Sequence, residues 1–362
     1  MVKAVVVTGR DTVPEVRDVE LPELGSGDVR VKIAAAGVCH SDLSMVNGVV
    51  TTQYPLVLGH EASGVVAEVG AGVTAVSPGD RVVLNWAPPC RECWFCQAGE
   101  PWLCKAVEGI TSVPRGSLAD GTPLHAGLGV GAFAEEVVLP AHAVVPLADG
   151  VPLDVAALLG CAVLTGVGAV RNTAGVRKGQ SVLVVGLGGI GLCAVLGAKL
   201  AGADPIIAVD ISPEKETYAR QAGATHFLLS EPTLAKQVRA LTGGRGVDHS
   251  FECVGAPPTI RAAWSAVRRG GQCTIVGVGG RDQQVVFNPL ELFHFSRTLT
   301  SSIYGASDPE RDVPKLAELV RSGDLDLESL VTHRIGLDGV ADAFERMGGG
   351  HGARSLIVPA DA

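Results

Sequence analysis

Alternating β and α units in the second half of the chain predict an α/β protein, with a doubly wound parallel sheet joined to a β-rich domain. Three observations carry that prediction. SVLVVG (181–186) and PIIAVD (205–210) are short apolar runs, followed by the helical stretches GGIGLCAVLGAKLAGA (188–203) and SPEKETYARQAGA (212–224). Residues 1 to about 140 read instead as short strands between turn signals such as SPGD (77–80). Apolar residues make up 47% of the 362, enough for two cores, and 47 glycines suit tight turns and close backbone approaches.

In order along the chain, MVKAVVVTGR (1–10) alternates as a first strand and lacks the long apolar region of a signal peptide. VRVKIAAAGV (29–38), GVVAEVGAGV (64–73), DRVVLNW (80–86) and FAEEVVL (133–139) continue a small antiparallel, barrel-like domain. The rhythm changes near residue 162. Beyond the two βα units above, GVDHSFECVG (246–255), GGQCTIVGVG (270–279) and TLTSSIY (298–304) supply further strands of the parallel sheet. The tail returns to helix and short strand and is expected to rejoin the first domain. The boundaries are drawn at 1–162, 163–303 and 304–362.

No run of about 18 apolar residues is present, so no membrane helix is expected. A formal charge of −9 argues against nonspecific binding to nucleic acid or anionic membrane. The expected location is the cytoplasm, where nine cysteines serve better as ligands or core residues than as disulfides.

GLGGIG (186–191) matches G-x-G-x-x-G between a strand and a helix, and Asp210 ends the next strand. Gly186 permits the tight turn, Gly188 lets the backbone approach a pyrophosphate, and Gly191 lets helix pack on strand. Gly189 and Ile190 lie between them, at the helix N-terminus, where free N–H groups face the phosphates. Asp210 is expected to accept from the adenosine ribose hydroxyls and to repel a 2′-phosphate, which favours NAD over NADP.

PCRECWFCQAGEPWLC (89–104) places Cys90, Cys93, Cys96 and Cys104 so that four thiolates can close around one structural Zn²⁺. Disulfides or an iron–sulfur cluster fit a reducing compartment and this spacing less well. A nucleic-acid-binding zinc module fits poorly with so few basic residues in the loop. Cys39 in GVCHSD (37–42), His60 in LGHEASG (58–64) and Cys161 in LLGCAVLTG (158–166) are unremarkable singly. Together, beside a dinucleotide fingerprint, they offer two thiolates and an imidazole with a fourth position open. That is the composition of a catalytic zinc.

These motifs, with the terminal GARSLIV (352–358), resemble the zinc-dependent alcohol dehydrogenases of the medium-chain dehydrogenase/reductase superfamily over essentially the whole chain. The resemblance implies a GroES-like catalytic domain interrupted by a Rossmann domain, two Zn²⁺ per subunit, NAD, and reversible hydride transfer between an alcohol and the cofactor. It implies Cys39, His60 and Cys161 as catalytic zinc ligands, Asp42 and Glu61 as acids behind them, and Ser41 as the hydroxyl receiving the alcohol proton. His40 and Arg354 fall at phosphate contacts, Thr165, Lys215 and Val278 at contacts to the two halves of the cofactor, and Trp86 where the substrate pocket narrows. Ser44 stands where many members carry a histidine that completes the proton relay, so proton exit is expected through the ribose hydroxyl and water.

LADGTPLHAGLGVGAFAEE (118–136) keeps the long segment of dimeric members, which implies a homodimer, with a tetramer as the alternative. Several segments also resemble the mycothiol-dependent formaldehyde dehydrogenases, whose substrate is a hydroxymethyl-thiol adduct. A zinc protein that kept the fold without the chemistry is the remaining reading, disfavoured by the intact set Cys39, Ser41, His60, Cys161 and Asp210. Cys193, Cys253 and Cys273 are expected in the core.

Overall fold

The computed structural model describes residues 1–360, which divide into two compact units, 1–161 with 308–360 and 162–307. The sequence reading drew the corresponding breaks at 162/163 and 303/304.

In the first unit β1 (Val2–Val7), β2 (Glu15–Glu20) and β3 (Asp28–Gly37) lead to α1 (His40–Val46). β4 (Leu56–Val57), β5 (Ala62–Val69) and β6 (Arg81–Leu84) follow, then the short α2 (Trp94–Gln97) of the cysteine lobe. β7 (Pro114–Leu118), β8 (Pro123–Ala126), β9 (Glu136–Pro140), β10 (Val144–Pro146) and α3 (Leu153–Ala156) complete this first passage.

β1, β2, β7, β8 and β4 close a small barrel, and the order β10-β6-β5-β3 begins a second sheet on which β9 also pairs with β3. Ala4, Val5, Val6 and Val7 of β1 are buried without alternation, so both faces of this part of the strand are covered. The barrel is not purely antiparallel, since β4 pairs parallel with β8.

The second unit begins with α4 (Ala162–Gly168), then β11 (Val182–Val185), α5 (Gly189–Leu200), β12 (Ile206–Asp210), α6 (Lys215–Ala222) and β13 (His226–Leu229). α7 (Leu234–Leu241), β14 (Val247–Glu252), α8 (Pro257–Ala266), β15 (Val267–Ile275), α9 (Pro289–Phe295) and β16 (Thr298–Ser301) complete it. All pairings are parallel, in the order β13-β12-β11-β14-β15-β16. That is the doubly wound order whose direction of winding reverses between β11 and β14. Residues Gly191 to Ala198 of α5 are buried without a break, as the apolar run GLCAVLGA requires. α6 stops at Gly223, which takes φ 111°, the left-handed conformation that ends helices.

The chain then returns to the first unit through α10 (Pro309–Ser322), β17 (Val331–Ile335), α11 (Val340–Gly348) and β18 (Arg354–Ile357). β18 pairs antiparallel with the end of β3, matching Leu356 to Gly37 and Ile357 to Ala36. This register brings Arg354 toward the start of α1. Among the described residues no single helix is long and apolar enough to cross a membrane.

Candidate active site

β3 ends at Gly37, and Cys39 is the N-cap of α1 in extended conformation. Three residues into the helix, Asp42 is fully buried and turns back. Its Oδ2 accepts the Cys39 backbone N–H at 3.0 Å. Its Oδ1 accepts the Gly59 N–H at 3.1 Å and lies 3.0 Å from Nδ1 of His60. One carboxylate thereby fixes two residues from separate parts of the sequence.

Gly59 has φ 95°, and a Cβ there would sit 2.4 Å from the Phe133 ring and 2.5 Å from its backbone nitrogen. Only glycine fits, and the tight passage sets the direction in which His60 leaves the backbone. Gly160 precedes Cys161 under a similar constraint, with a Cβ there falling 2.7 Å from the Leu84 carbonyl oxygen.

A ring nitrogen of His60 and the Sγ atoms of Cys39 and Cys161 lie within 4.8 Å of one another, all three residues buried. Nε2 of His60 is buried without a hydrogen-bond partner. A buried polar atom left unsatisfied is costly, and two thiol sulfurs beside it are soft ligands. The donor set fits a zinc ion with three protein ligands and an open fourth position.

The electrostatics agree. A hydrogen bond from Cys161 outweighs burial and, with His60 and Arg354 nearby, holds the Cys39 thiol well below its usual value. Burial opposes charge on His60, but Asp42 and then Cys39 prevail and push the ring up to about 10. Metal ligation needs an unprotonated Nε2, so metal uptake here releases protons.

Glu61 is fully buried and Arg354 only 4% exposed, and the two form an ion pair. Gly37 makes room for it, since a Cβ there would lie 2.4 Å from Glu61 Oε2. Sequence reasoning missed this pairing. Its signal was an acid and a base in two apolar motifs, GHEASG and GARSLIV, each of which needs a counter-charge once buried. Trp86 is half-buried and meets the His60 ring edge-on, with centroids 6.4 Å apart. On α1, His40 is exposed while Ser41 and Ser44 are half-buried.

The sulfurs of Cys90, Cys93, Cys96 and Cys104 also lie within 4.8 Å of one another. Backbone N–H groups point at them, Cys90 N to Cys104 Sγ at 3.2 Å and Cys93 N to Cys90 Sγ at 3.3 Å. The N–H groups of Cys96 and Lys105 pull Cys93 down to about 6, whereas burial pushes Cys96 up to about 12. Arg91, at φ 63°, ties the lobe to the start of α10, bidentate to Asp308 at 2.7 and 2.8 Å and bonded to Glu310 at 2.7 Å.

In the second unit the glycine fingerprint links β11 to α5. Gly186 takes φ 90°. A Cβ on Gly191 would fall 1.8 Å from the Gly186 carbonyl oxygen, so helix and turn touch through backbone alone. Gly188 has open space instead, with nothing within 4 Å of a Cβ, and caps α5 without a side-chain hydrogen bond. Closely packed glycines flanking an open one at a bare helix N-terminus fit a pyrophosphate.

Asp210 accepts the Leu187 N–H at 2.7 Å through Oδ2 and the Ser212 N–H at 3.0 Å through Oδ1, so it also braces the fingerprint turn. Thr165 and Lys215 are buried in this unit, and burial lowers the Lys215 pKa against the pull of Asp210 and Glu214. Val278 is 66% exposed. Of the residues assigned to the cofactor, His40 and Arg354 lie in the other unit. Cys193 and Cys273 are buried as expected, but Cys253, the first residue past the carboxyl end of β14, is only half-buried.

Comparison with known proteins places this geometry in context. Residues 25–149 match the alcohol dehydrogenase GroES-like domain, and residues 189–322 match the zinc-binding dehydrogenase family. The chain is 38% identical to the S-(hydroxymethyl)glutathione dehydrogenase of Escherichia coli over 355 residues, 95% of each protein. The benzyl alcohol dehydrogenase of Acinetobacter calcoaceticus superimposes with a TM-score of 0.92 at 27% identity, covering 99% of both chains. An alcohol dehydrogenase zinc-binding domain protein from Burkholderia ambifaria superimposes with a TM-score of 0.93 at 29% identity, over 99% of this chain and 98% of its own.

Proposed function

The chain belongs to the zinc-dependent alcohol dehydrogenases of the medium-chain dehydrogenase/reductase superfamily, and from that premise we propose that it oxidises an alcohol reversibly with NAD, using one catalytic and one structural zinc per subunit. The observation that carries the reading is the orphaned Nε2 of buried His60, converging with Cys39 and Cys161 in a chain that also bears a dinucleotide fingerprint. Zinc held there supplies Lewis acidity to an alcohol or carbonyl oxygen, and nicotinamide supplies the hydride acceptor.

The chain's own residues do the rest. Asp42 holds the proton on Nδ1 of His60 and leaves the Nε2 lone pair for the metal. Ser41 Oγ takes the alcohol proton and passes it to the ribose hydroxyl and water, because Ser44 offers no imidazole to continue a relay. Trp86 narrows the space beside His60. Asp210 binds the adenosine ribose, with Lys215 beside it. Thr165 and Val278 contact the cofactor, and His40 and Arg354 its phosphates.

A second reading of the substrate has its own support. The 38% identity to S-(hydroxymethyl)glutathione dehydrogenase favours a hydroxymethyl-thiol adduct, with glutathione or mycothiol as the thiol. Turnover of formaldehyde with and without each thiol, against benzyl and simple primary alcohols, separates the two. Zinc quantification tests the core of the proposal: two ions per chain are expected, and active protein holding only one overturns it.

The proposal includes a homodimer in the cytoplasm. β16 ends the sheet order, and Leu299, Ile303, Leu290 and Phe293 around it are exposed, an edge that suits pairing with a second copy. Sedimentation at twice the chain mass is the expected outcome. Nine cysteines without a disulfide among the described residues suit a reducing compartment.

A further inference from the structure

Glu252 has no part in the chemistry above, yet it is a fully buried carboxylate at the last position of β14. Its Oε1 accepts the N–H groups of Val254 at 3.0 Å and Gly255 at 2.9 Å, and its Oε2 accepts Gly255 again at 3.1 Å. Thr259 Oγ1 lies 2.7 Å from Oε1 and 2.8 Å from the Ala256 carbonyl oxygen, sharing one proton between them. The backbone carbonyl of Glu252 accepts the N–H groups of Val276 at 2.7 Å and Gly277 at 3.0 Å. One residue therefore holds two loops, 253–256 through its side chain, which also reaches Thr259 in the first turn of α8, and 276–277 through its main chain.

Those loops meet without side chains between them. A Cβ on Gly277 would lie 2.2 Å from the Gly255 nitrogen, and one on Gly255, at φ 88°, would lie 2.5 Å from the Val278 carbonyl carbon. On the other side, a Cβ on Gly186 would lie 2.4 Å from Val254 Cγ2, so the loops also touch the fingerprint turn. Val278 emerges from this ledge at the carboxyl ends of β14 and β15. β14 neighbours β11 across the point where the winding reverses, which is where such sheets bind dinucleotides.

Burial raises the Glu252 carboxyl above its usual value despite its donors. A chain that only needed to fill this volume could do so with an apolar residue at lower cost.

We propose that Glu252 is a positioning residue for the nicotinamide half of the dinucleotide, fixing the ledge made by Val254, Gly255 and Val278 against the fingerprint turn. The inference rests on the NAD reading above. Glu252→Gln keeps the volume but turns one acceptor into a donor facing the Gly255 N–H. Thr259→Val removes the hydroxyl, and Thr259→Ser restores it.

The test measures binding of NADH, and of AMP as a ligand without nicotinamide, by the zinc-loaded enzyme, together with KM for NAD and for alcohol. Glu252→Gln is expected to weaken NADH about 10-fold and raise KM for NAD in step, with AMP binding and KM for alcohol unchanged. Thr259→Val is expected to lose about 3-fold and Thr259→Ser to match the wild type, which keeps the question answerable should Glu252→Gln fail to fold. Unchanged NADH binding in Glu252→Gln or Thr259→Val overturns the proposal. So does an equal loss of AMP, which would mark a general loosening of the unit. Wild-type enzyme that binds neither NADH nor AMP overturns the dinucleotide reading itself, a result distinct from either.

Discussion

The two thiol-rich sites of the first unit are built in opposite ways. The lobe draws all four ligands from residues 90–104, with three of its cysteines half-exposed and backbone N–H groups aimed at the sulfurs. The other site draws on residues 39, 60 and 161, all buried, and relies on Asp42 to hold two of them. A contiguous set of four saturates its metal and substitutes for a core the loop lacks. A dispersed set of three inherits its geometry from the surrounding fold and can leave a position open for chemistry. On the proposed two-zinc reading, the difference predicts that the lobe needs its metal to fold, whereas the buried site needs the fold to bind its metal.

The largest effect that could break this contrast is removal of the structural metal. Chelation, or Cys93→Ala, is expected to cost apparent folding free energy on the order of 10 kcal/mol in the lobe. Amide exchange at residues 90–104 would read it, and a lobe that stays protected without metal contradicts the contrast. Cys39→Ala comes next. It should lower alcohol-dependent NAD reduction by about a thousand-fold or more while the melting temperature hardly moves and one zinc remains bound. A large fall in stability would show that the buried metal also holds the fold.

Asp42→Asn sharpens the comparison further. It leaves the ligands in place but weakens their brace, and is expected to reduce metal affinity at the buried site about 10- to 100-fold. Competition with a chromophoric chelator should detect it, with the lobe unaffected. The smallest effect concerns the lobe's attachment. Arg91→Ala removes partly exposed ion pairs to Asp308 and Glu310, so a loss of about 1 kcal/mol is expected at low salt, shrinking toward zero at high salt. Melting curves across a salt series would show it, and a loss independent of salt would point to packing instead of charge.

The sequence made much of this legible because some signals are local. Four cysteines within fifteen residues, a glycine fingerprint after an apolar run, and alternating β and α rhythm each need only a short window. The ligand trio was readable only in combination and through family resemblance. Strand limits were less clear. GGQCTIVGVG (270–279) was read as a strand, but β15 runs from Val267 to Ile275, because Gly277 already belongs to the loop packed on Gly255. The parallel pairing of β4 with β8 had no local sign, since periodicity fixes the buried face of a strand and not its neighbour.

Residue types and their spacing were enough by themselves to determine the fold class, the four-cysteine cluster and the glycine turn, because each depends on short-range stereochemistry or on a donor set gathered in a short window. Only the tertiary structure decided that Asp42 serves Cys39 and His60 together, that Glu61 and Arg354 neutralise each other, and that Glu252 binds two loops. The physical reason is that a buried charge must be satisfied by whichever groups the fold brings near it, and distance along the chain does not reveal which those are.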